Sequence, residues 1–105
     1  MYETPELDSD AFVRTHEIRV HEDEEMWEGM RAAGRLVGQA LDMITPYVVP
    51  GVTTGELDDI VREMTLAGGA IPATLGYRGY AHSCCTSINN VICHGIPGDK
   101  VLRDG

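Results

Sequence analysis

The chain has 105 residues, of which 43% are hydrophobic and 24% are charged, and its formal net charge is −9. That composition allows one domain with a modest core and excludes a wholly disordered chain. No apolar run approaches the roughly 18 residues of a membrane span, and the first residues lack the basic and apolar regions of a secretory signal, so we expect neither.

Acidic residues are concentrated at the front of the chain. Residues 1–28 hold ten acidic and two basic residues. Such a surface repels phosphate groups, which makes nucleic acid a poor partner. We predict an acidic N-terminal arm over residues 1–22, solvated rather than a specific docking segment, and a structured part over residues 23–105. Within the arm, Ile18 and Val20 alternate with polar residues, as in a short strand.

A long helix is predicted from about Asp23 to about Val48. Asp23 is suited to cap its N-terminus, and Pro46 is expected to bend its last turn. Apolar residues recur every three or four positions, which predicts a buried stripe. The stripe is formed by Met26, Met30, Ala33, Val37, Leu41, Ile44 and Val48. Three glycines are expected to let another element pack close to this helix. They are Gly29, Gly34 and Gly38.

A second helix is predicted after Pro50-Gly51. Thr53 and Glu56 have the spacing of a capping box, and Gly68-Gly69 ends the helix. Its apolar stripe is formed by Leu57, Ile60, Val61 and Met64. The segment from Cys84 to Cys93 is predicted to form a β-hairpin that turns near Asn89-Asn90. Two helices followed by paired strands indicate an α+β fold.

His94 is the side chain best suited to chemistry. It follows the predicted hairpin and precedes a glycine, which leaves an imidazole available for proton transfer or for a hydrogen bond to a substrate. A structural role for this histidine is the alternative. Tyr77 and Tyr80 lie in a glycine-rich loop, where they either line an apolar pocket or cover the core. His82, just before the hairpin, is predicted to be solvated.

Three cysteines lie within ten residues of one another, and an odd number of cysteines without a secretory signal favours reduced thiols. Cys84 and Cys85 are adjacent, so in a strand they point to opposite faces and are poorly placed to bind one zinc ion. Cys85 paired with His94 as a nucleophile and base is another alternative, but no orienting Asn or Asp is evident. Asp58 and Asp59 are adjacent on a helix and do not converge.

Three ordered motifs together resemble one family. They are Pro50-Gly51-Val52-Thr53-Thr54-Gly55-Glu56-Leu57-Asp58, Leu75-Gly76-Tyr77-Arg78-Gly79-Tyr80, and Ser87-Ile88-Asn89-Asn90-Val91-Ile92-Cys93-His94-Gly95-Ile96-Pro97. The stretch from about Met26 to Gly105 resembles the N-terminal part of type I methionine aminopeptidases. The resemblance implies the N-terminal part of a pita-bread (creatinase/aminopeptidase) fold. It also implies a cytoplasmic enzyme that removes the initiator methionine from nascent proteins.

The resemblance also implies roles for individual residues. His94 matches the substrate-binding histidine, which hydrogen-bonds near the scissile amide and assists the tetrahedral intermediate. Tyr77, Tyr80 and Cys85 match positions that line the methionine side-chain pocket. The backbone carbonyls of two residues match positions that help to hold a monovalent cation in some members. These two residues are Asn89 and Val91.

Family members use two divalent ions, described as cobalt, manganese, iron or zinc. By the resemblance, the five metal ligands of the family lie beyond the position that matches Gly105, so we expect this chain not to bind the ions tightly. Milder departures from the family pattern occur at three positions, namely Thr74, Ala81 and Asn90.

Two classes of function follow. The first is a metallopeptidase of which this chain is an N-terminal portion, inactive alone. The alternative is a stand-alone, non-catalytic module that binds N-terminal peptides or a partner protein.

The isolated 105-residue chain is expected to have no aminopeptidase activity, because metal-assisted hydrolysis needs a water activated by bound ions. The assay is methionine release from Met-Gly-Met-Ser with added manganese or cobalt. Turnover clearly above the buffer background would contradict the expectation.

Overall fold

The computed structural model describes residues 20–105. Most of the predicted acidic arm, including Ile18, therefore lies outside the described residues. Val20 is exposed and belongs to no strand.

Helix α1 spans Glu24–Ile44. The predicted cap is confirmed, because the Asp23 carboxylate accepts a hydrogen bond from the Met26 amide at 2.8 Å. A short 3-10 turn, Thr45–Tyr47, follows α1 and contains Pro46. Since proline has no amide hydrogen, the α-helical hydrogen-bond pattern stops there. The regular helix is therefore four residues shorter than the sequence predicts.

Helix α2 spans Thr54–Ala67 and has the predicted capping box. The Thr53 hydroxyl accepts from the Glu56 amide at 3.1 Å, while the Glu56 carboxylate accepts from the Thr53 amide at 2.8 Å. Two donors that would otherwise lack partners at the helix N-terminus are thus satisfied by local residues.

The two helices pack against each other, but not through the predicted glycines of α1. A Cβ atom added at any of those three glycines would meet no atom within 4 Å. The close approach lies instead at Gly68, where an added Cβ would come within 2.7 Å of Leu36 Cδ1. The prediction was wrong because a single glycine at the end of α2, and not a row of them on α1, meets the opposing side chain.

Much of the predicted α1 stripe is open to solvent among the described residues. Val37 is 60% exposed and Leu41 is 65% exposed. Both border an apolar groove of about 380 Å³ between α1, α2 and residues 70–73. The stripe was identified correctly as apolar, but the described residues do not cover it.

The predicted hairpin from Cys84 to Cys93 is not formed. No strand occurs among residues 20–105, although the chain does turn at Asn89-Asn90 as predicted. The Thr86 amide donates to the Gly95 carbonyl at 2.7 Å, and this close approach is not continued into a ladder. A two-stranded ribbon without a neighbouring sheet is marginal, and Ile92, in the second predicted strand, is 97% exposed.

The C-terminal segment packs against the start of α2. Val101 forms an isolated antiparallel bridge with Thr53. The Gly55 amide donates to the Gly98 carbonyl at 2.7 Å, and a Cβ on Gly55 would lie 2.9 Å from that oxygen. Glycine at this position therefore permits the contact between the two segments.

No helix among the described residues is long and apolar enough to cross a membrane.

The exposed α1 stripe predicts that the 105-residue chain is only marginally stable and self-associates, because exposed apolar patches favour association. The double variant Val37→Glu/Leu41→Glu should sediment more slowly than the unsubstituted chain at equal helical circular dichroism. Gln39→Glu is the control, since it adds one of these two negative charges about 200° away around the helix. A sharp cooperative melt of a monomeric unsubstituted chain would contradict the prediction.

Candidate functional site

Asp58, in the second turn of α2, is the most deeply buried side chain with a charge among the described residues, and it is only 1% exposed. Its Oδ1 accepts from the Ser83 amide at 2.7 Å, from the Cys84 amide at 3.1 Å and from the Cys84 thiol at 3.5 Å. Its Oδ2 lies 3.1 Å from both Arg62 Nη2 and His82 Nδ1. We call these five residues the Asp58 cluster.

Burial of the Asp58 carboxylate by itself would raise its pKa, since removal from water disfavours the charged form. Hydrogen bonds from the Ser83 amide, from His82 and from the amide and thiol of Cys84 outweigh burial and hold the pKa of Asp58 below its ordinary value. The carboxylate is therefore ionised at neutral pH, and both of its oxygens act as acceptors.

A cavity of about 660 Å³ begins at Cys85, the residue that follows the segment bound by Asp58. We call it the candidate pocket. The four side chains that the sequence predicts for the site all line it, namely Tyr77, Tyr80, Cys85 and His94. Its remaining lining residues are Thr74, Arg78, Gly79 and Ile96.

Tyr80 connects the pocket wall to the Asp58 cluster. Its hydroxyl donates to the Cys84 carbonyl at 2.8 Å and lies 3.6 Å from Cys85 Sγ. Its ring meets the His82 ring edge-on, with 5.5 Å between centroids. Burial, followed by the contact with Cys85 and the nearby negative charges, raises the pKa of Tyr80 to about 12. The hydroxyl therefore remains a donor at neutral pH.

The two adjacent cysteines lie in different environments, although the strand from which this separation was expected is not formed. Cys84 borders the apolar groove beside α1, whereas Cys85 is exposed and lines the candidate pocket. Burial, with the charge and hydrogen bond of Asp58 adding to it, raises the pKa of the Cys84 thiol to about 11. Cys84 is therefore a poor nucleophile and serves as a donor to Asp58.

His94 reaches the pocket through an unusual backbone conformation. Its φ is +55°, a left-handed value that non-glycine residues adopt rarely. Gly95 follows, and a Cβ at that position would overlap the Thr86 carbonyl oxygen. The Gly95 amide also donates to the Ser87 hydroxyl at 3.2 Å. Only glycine can approach this backbone so closely, and that approach fixes His94 opposite the segment that carries Cys85.

Arg78 also has a left-handed backbone, with φ at +49°. Its guanidinium carbon lies 5.4 Å from the centre of the Tyr77 ring, within the range of a cation–π contact. A cationic group thus borders the aromatic wall of the pocket.

The two residues of the predicted monovalent-cation site are not brought together in the candidate pocket. Asn89 lines a separate cavity of about 700 Å³ beside residues 100–105, and its φ is +54°. Val91 donates its amide to the Ile88 carbonyl at 3.1 Å and is partly exposed. Their role as cation ligands stays a prediction.

The Asp58 cluster was not predicted from the sequence, and the prediction for His82 was wrong. Asp58 and Asp59 were correctly expected not to converge, since Asp58 is buried and Asp59 is exposed, but no partner was predicted for either. His82 was predicted to be solvated, whereas its ring is half-buried against Asp58. The signal available in the sequence was an acid directly beside the apolar arc of α2, with Arg62 one turn later.

Residues 20–105 contain no group of three or more His, Cys, Asp or Glu side chains arranged to hold a metal ion. The three cysteines are all unpaired thiols. The described residues therefore do not fit a metal centre.

Comparison with known proteins places this site in a family. Residues 28–105 match the Metallopeptidase family M24. The chain is 48% identical over 88 residues to the methionine aminopeptidase of Rickettsia prowazekii, covering 84% of this chain and 34% of the relative. It is 56% identical over 80 residues to the methionine aminopeptidase of Escherichia coli K12, covering 74% of this chain and 30% of the relative.

The fold agrees with these relationships. The crystal structure of methionine aminopeptidase from Rickettsia prowazekii matches with a TM-score of 0.78 at 48% identity, covering 85% of this chain and 36% of that chain. The chain belongs to the M24 metallopeptidase family, and its fold is the N-terminal part of a pita-bread fold. It spans about a third of the length of these curated relatives.

Acid is expected to weaken the fold through Asp58. Its pKa is lowered on folding from an ordinary value of 3.8, so its contribution to stability is present above about pH 4 and is lost as the pH falls through the folded-state value. Asp58→Asn should therefore lower the urea midpoint at pH 7 and flatten the loss between pH 5 and 3. Asp59→Asn, at the exposed neighbour whose contact with Arg62 is a surface pair of 3.5 Å, should change neither, because exposed pairs of this kind contribute little to stability. Equal pH profiles for the unsubstituted chain and Asp58→Asn would contradict this assignment.

Proposed function

We propose that this chain forms the methionine-binding side of an aminopeptidase that removes the initiator methionine from nascent proteins. The observation that carries the proposal is the meeting of Tyr77, Tyr80, Cys85 and His94 in one cavity. Supporting it, the relatives from Rickettsia prowazekii and Escherichia coli K12 are both named methionine aminopeptidase. Residues 23–105 would be the portion of the catalytic domain, preceded by the acidic arm of residues 1–22.

The chemistry of the pocket suits an unbranched, polarisable side chain. Tyr77 and Tyr80 offer ring surfaces, and sulfur–aromatic contacts stabilise a methionine thioether. Cys85 adds a small, exposed thiol, and Ile96 adds apolar surface. A pocket surface of this kind distinguishes methionine from bulkier residues by shape. One methylene more or less on a bound side chain changes the free energy of recognition by about 1–3 kcal/mol.

His94 is the residue to which we assign contact with the scissile peptide. It is exposed at the pocket wall, and its imidazole can donate a hydrogen bond to the amide or to the oxyanion that develops on the carbonyl. The left-handed backbone sets the direction in which the His94 side chain leaves the chain, and the side chain lines the candidate pocket.

We assign the cofactor to the whole enzyme as two divalent ions of cobalt, manganese, iron or zinc, which supply an activated water when bound. No step is assigned to them here, since residues 20–105 do not form their site. The backbone carbonyls of Asn89 and Val91 are proposed to help hold a monovalent cation. The cytoplasm is the proposed location.

The same cavity supports a second candidate function, the binding of N-terminal peptides without hydrolysis. The eight residues of this chain that line the candidate pocket all belong to residues 74–96, and they offer a peptide both aromatic surface and a histidine. The two candidates differ in whether methionine is released or only bound.

The test is a fusion of this chain to the part of the Escherichia coli relative that follows the matched region, assayed with Met-Gly-Met-Ser and added manganese. Methionine release is expected. His94→Ala in the fusion should lower kcat about 10²–10³-fold with a smaller change in KM, because a donor to developing charge acts mainly in the transition state.

Cys93→Ala is the matched control, since this neighbouring thiol is exposed and does not line the pocket. A His94→Ala fusion that kept its kcat and only bound substrate more weakly would refute the assigned role. Methionine-first binding without release by the fusion would favour the second candidate.

A further inference from the structure

The Asp58 cluster lies next to the candidate pocket and not in it. None of its five residues lines the pocket, yet two of them contact Tyr80, which does. The Asp58 carboxylate, on α2, hydrogen-bonds to residues 82–84. The next residue along the chain, Cys85, lines the cavity.

We propose that Asp58 is a positioning residue for methionine recognition, whose carboxylate fixes residues 82–84 so that Tyr80 and Cys85 form the pocket wall. The proposal rests on the proposed function for the identity of the ligand. The geometric part rests only on contacts within this chain.

The Asp58 carboxylate accepts from five donors, which are two backbone amides, a thiol, a guanidinium and an imidazole. Charge-assisted hydrogen bonds are stronger than neutral ones, and loss of the acceptor leaves buried donors without partners. The 82–84 segment has no secondary structure of its own, so this carboxylate sets its position.

Contacts of His82 and Cys84 connect Asp58 to the wall of the candidate pocket. The Cys84 amide is fixed by Asp58, and the carbonyl of the same residue accepts from the Tyr80 hydroxyl. His82, held by the other oxygen of Asp58, supports the Tyr80 ring edge-on and accepts the Thr74 hydroxyl at its carbonyl at 3.1 Å. Thus Tyr80 and Thr74, on the pocket wall, are both held by residues that Asp58 orients.

The proposed positioning role requires the negative charge of Asp58 as well as the shape of its side chain. An asparagine at position 58 has one acceptor oxygen and one NH₂ group, which is a donor. In one orientation its NH₂ faces Arg62, and in the other it faces the amides of Ser83 and Cys84. Either orientation opposes at least one existing donor, although the side-chain volume is unchanged.

The experiment compares the unsubstituted 105-residue chain with Asp58→Asn, and with Asp59→Asn as the matched control. Hydrogen exchange of the Ser83 and Cys84 amides is measured relative to amides in the middle of α1. Binding of Met-Gly-Met-Ser and of Lys-Gly-Met-Ser is followed by the chemical shifts of Cys85 and His94.

In Asp58→Asn, exchange at Ser83 and Cys84 should rise about tenfold while α1 is unchanged, which is the equivalent of one charge-assisted hydrogen bond. Affinity for the methionine-first peptide should fall by about the same factor at an unchanged helical signal. Asp59→Asn should match the unsubstituted chain in every measurement.

Equal increases in exchange at Ser83 and throughout α1 would overturn the proposal, because Asp58 would then only stabilise the helices. Faster exchange at Ser83 and Cys84 alone, with unchanged affinity for the methionine-first peptide, would overturn the proposal as well. If the unsubstituted chain bound both peptides equally, the proposed function would fail, while selective exchange would still support the geometric part.

A second variant covers the case in which Asp58→Asn does not fold. His82→Ala leaves the contacts of Asp58 Oδ1 in place and removes the ring that contacts both Asp58 Oδ2 and Tyr80. It should weaken methionine-peptide binding while Ser83 stays protected. Binding equal to that of the unsubstituted chain would overturn the proposed route through Tyr80.

Discussion

One buried carboxylate joins helix α2 to residues 82–84, which have no regular secondary structure. Asp58 is placed by α2, whose capping box fixes the start of the helix one turn earlier. Because the charge is removed from water, it must be satisfied by several donors. Arg62 of the same helix supplies one, and a loop about 25 residues later in the chain supplies the other four. The position of the loop, and with it the inner wall of the candidate pocket, follows from that requirement.

The opposite wall of the pocket depends on a backbone constraint. Gly95 lies against the Thr86 carbonyl so closely that no side chain fits, and His94 before it adopts a left-handed conformation. Strained backbone of this kind persists where surrounding contacts determine it, and it is common at functional sites. The two walls therefore depend on different interactions. One wall depends on hydrogen bonds to the charge of Asp58, and the other depends on close backbone packing at Gly95.

The apolar surface of the described residues is only partly used. Leu57 is the sole buried large apolar residue of residues 20–105, while α1 exposes much of its stripe. Polar contacts, above all those of Asp58 and of the α2 N-terminus with residues 98–102, carry much of the tertiary organisation. The site geometry is thus well defined in a portion of the fold whose hydrophobic core is small.

The sequence by itself determined both helices, the Asp23 cap, the capping box at Thr53, and the four residues that meet in the candidate pocket. Caps and apolar periodicity are local, and the pocket residues were carried by a motif resemblance, so both could be read without knowing the tertiary contacts.

Only the tertiary structure decided which loop residues donate to Asp58, that His82 is half-buried, and that residues 84–93 form no strand. Apolar and β-branched residues at Ile88 and Val91 favoured a hairpin, but strand formation depends on neighbours that propensity does not encode. Likewise, a carboxylate on a helix acquires its role only when a distant loop brings its amides within 3.1 Å. Such contacts are set by packing between segments far apart in the chain, and no local pattern specifies them.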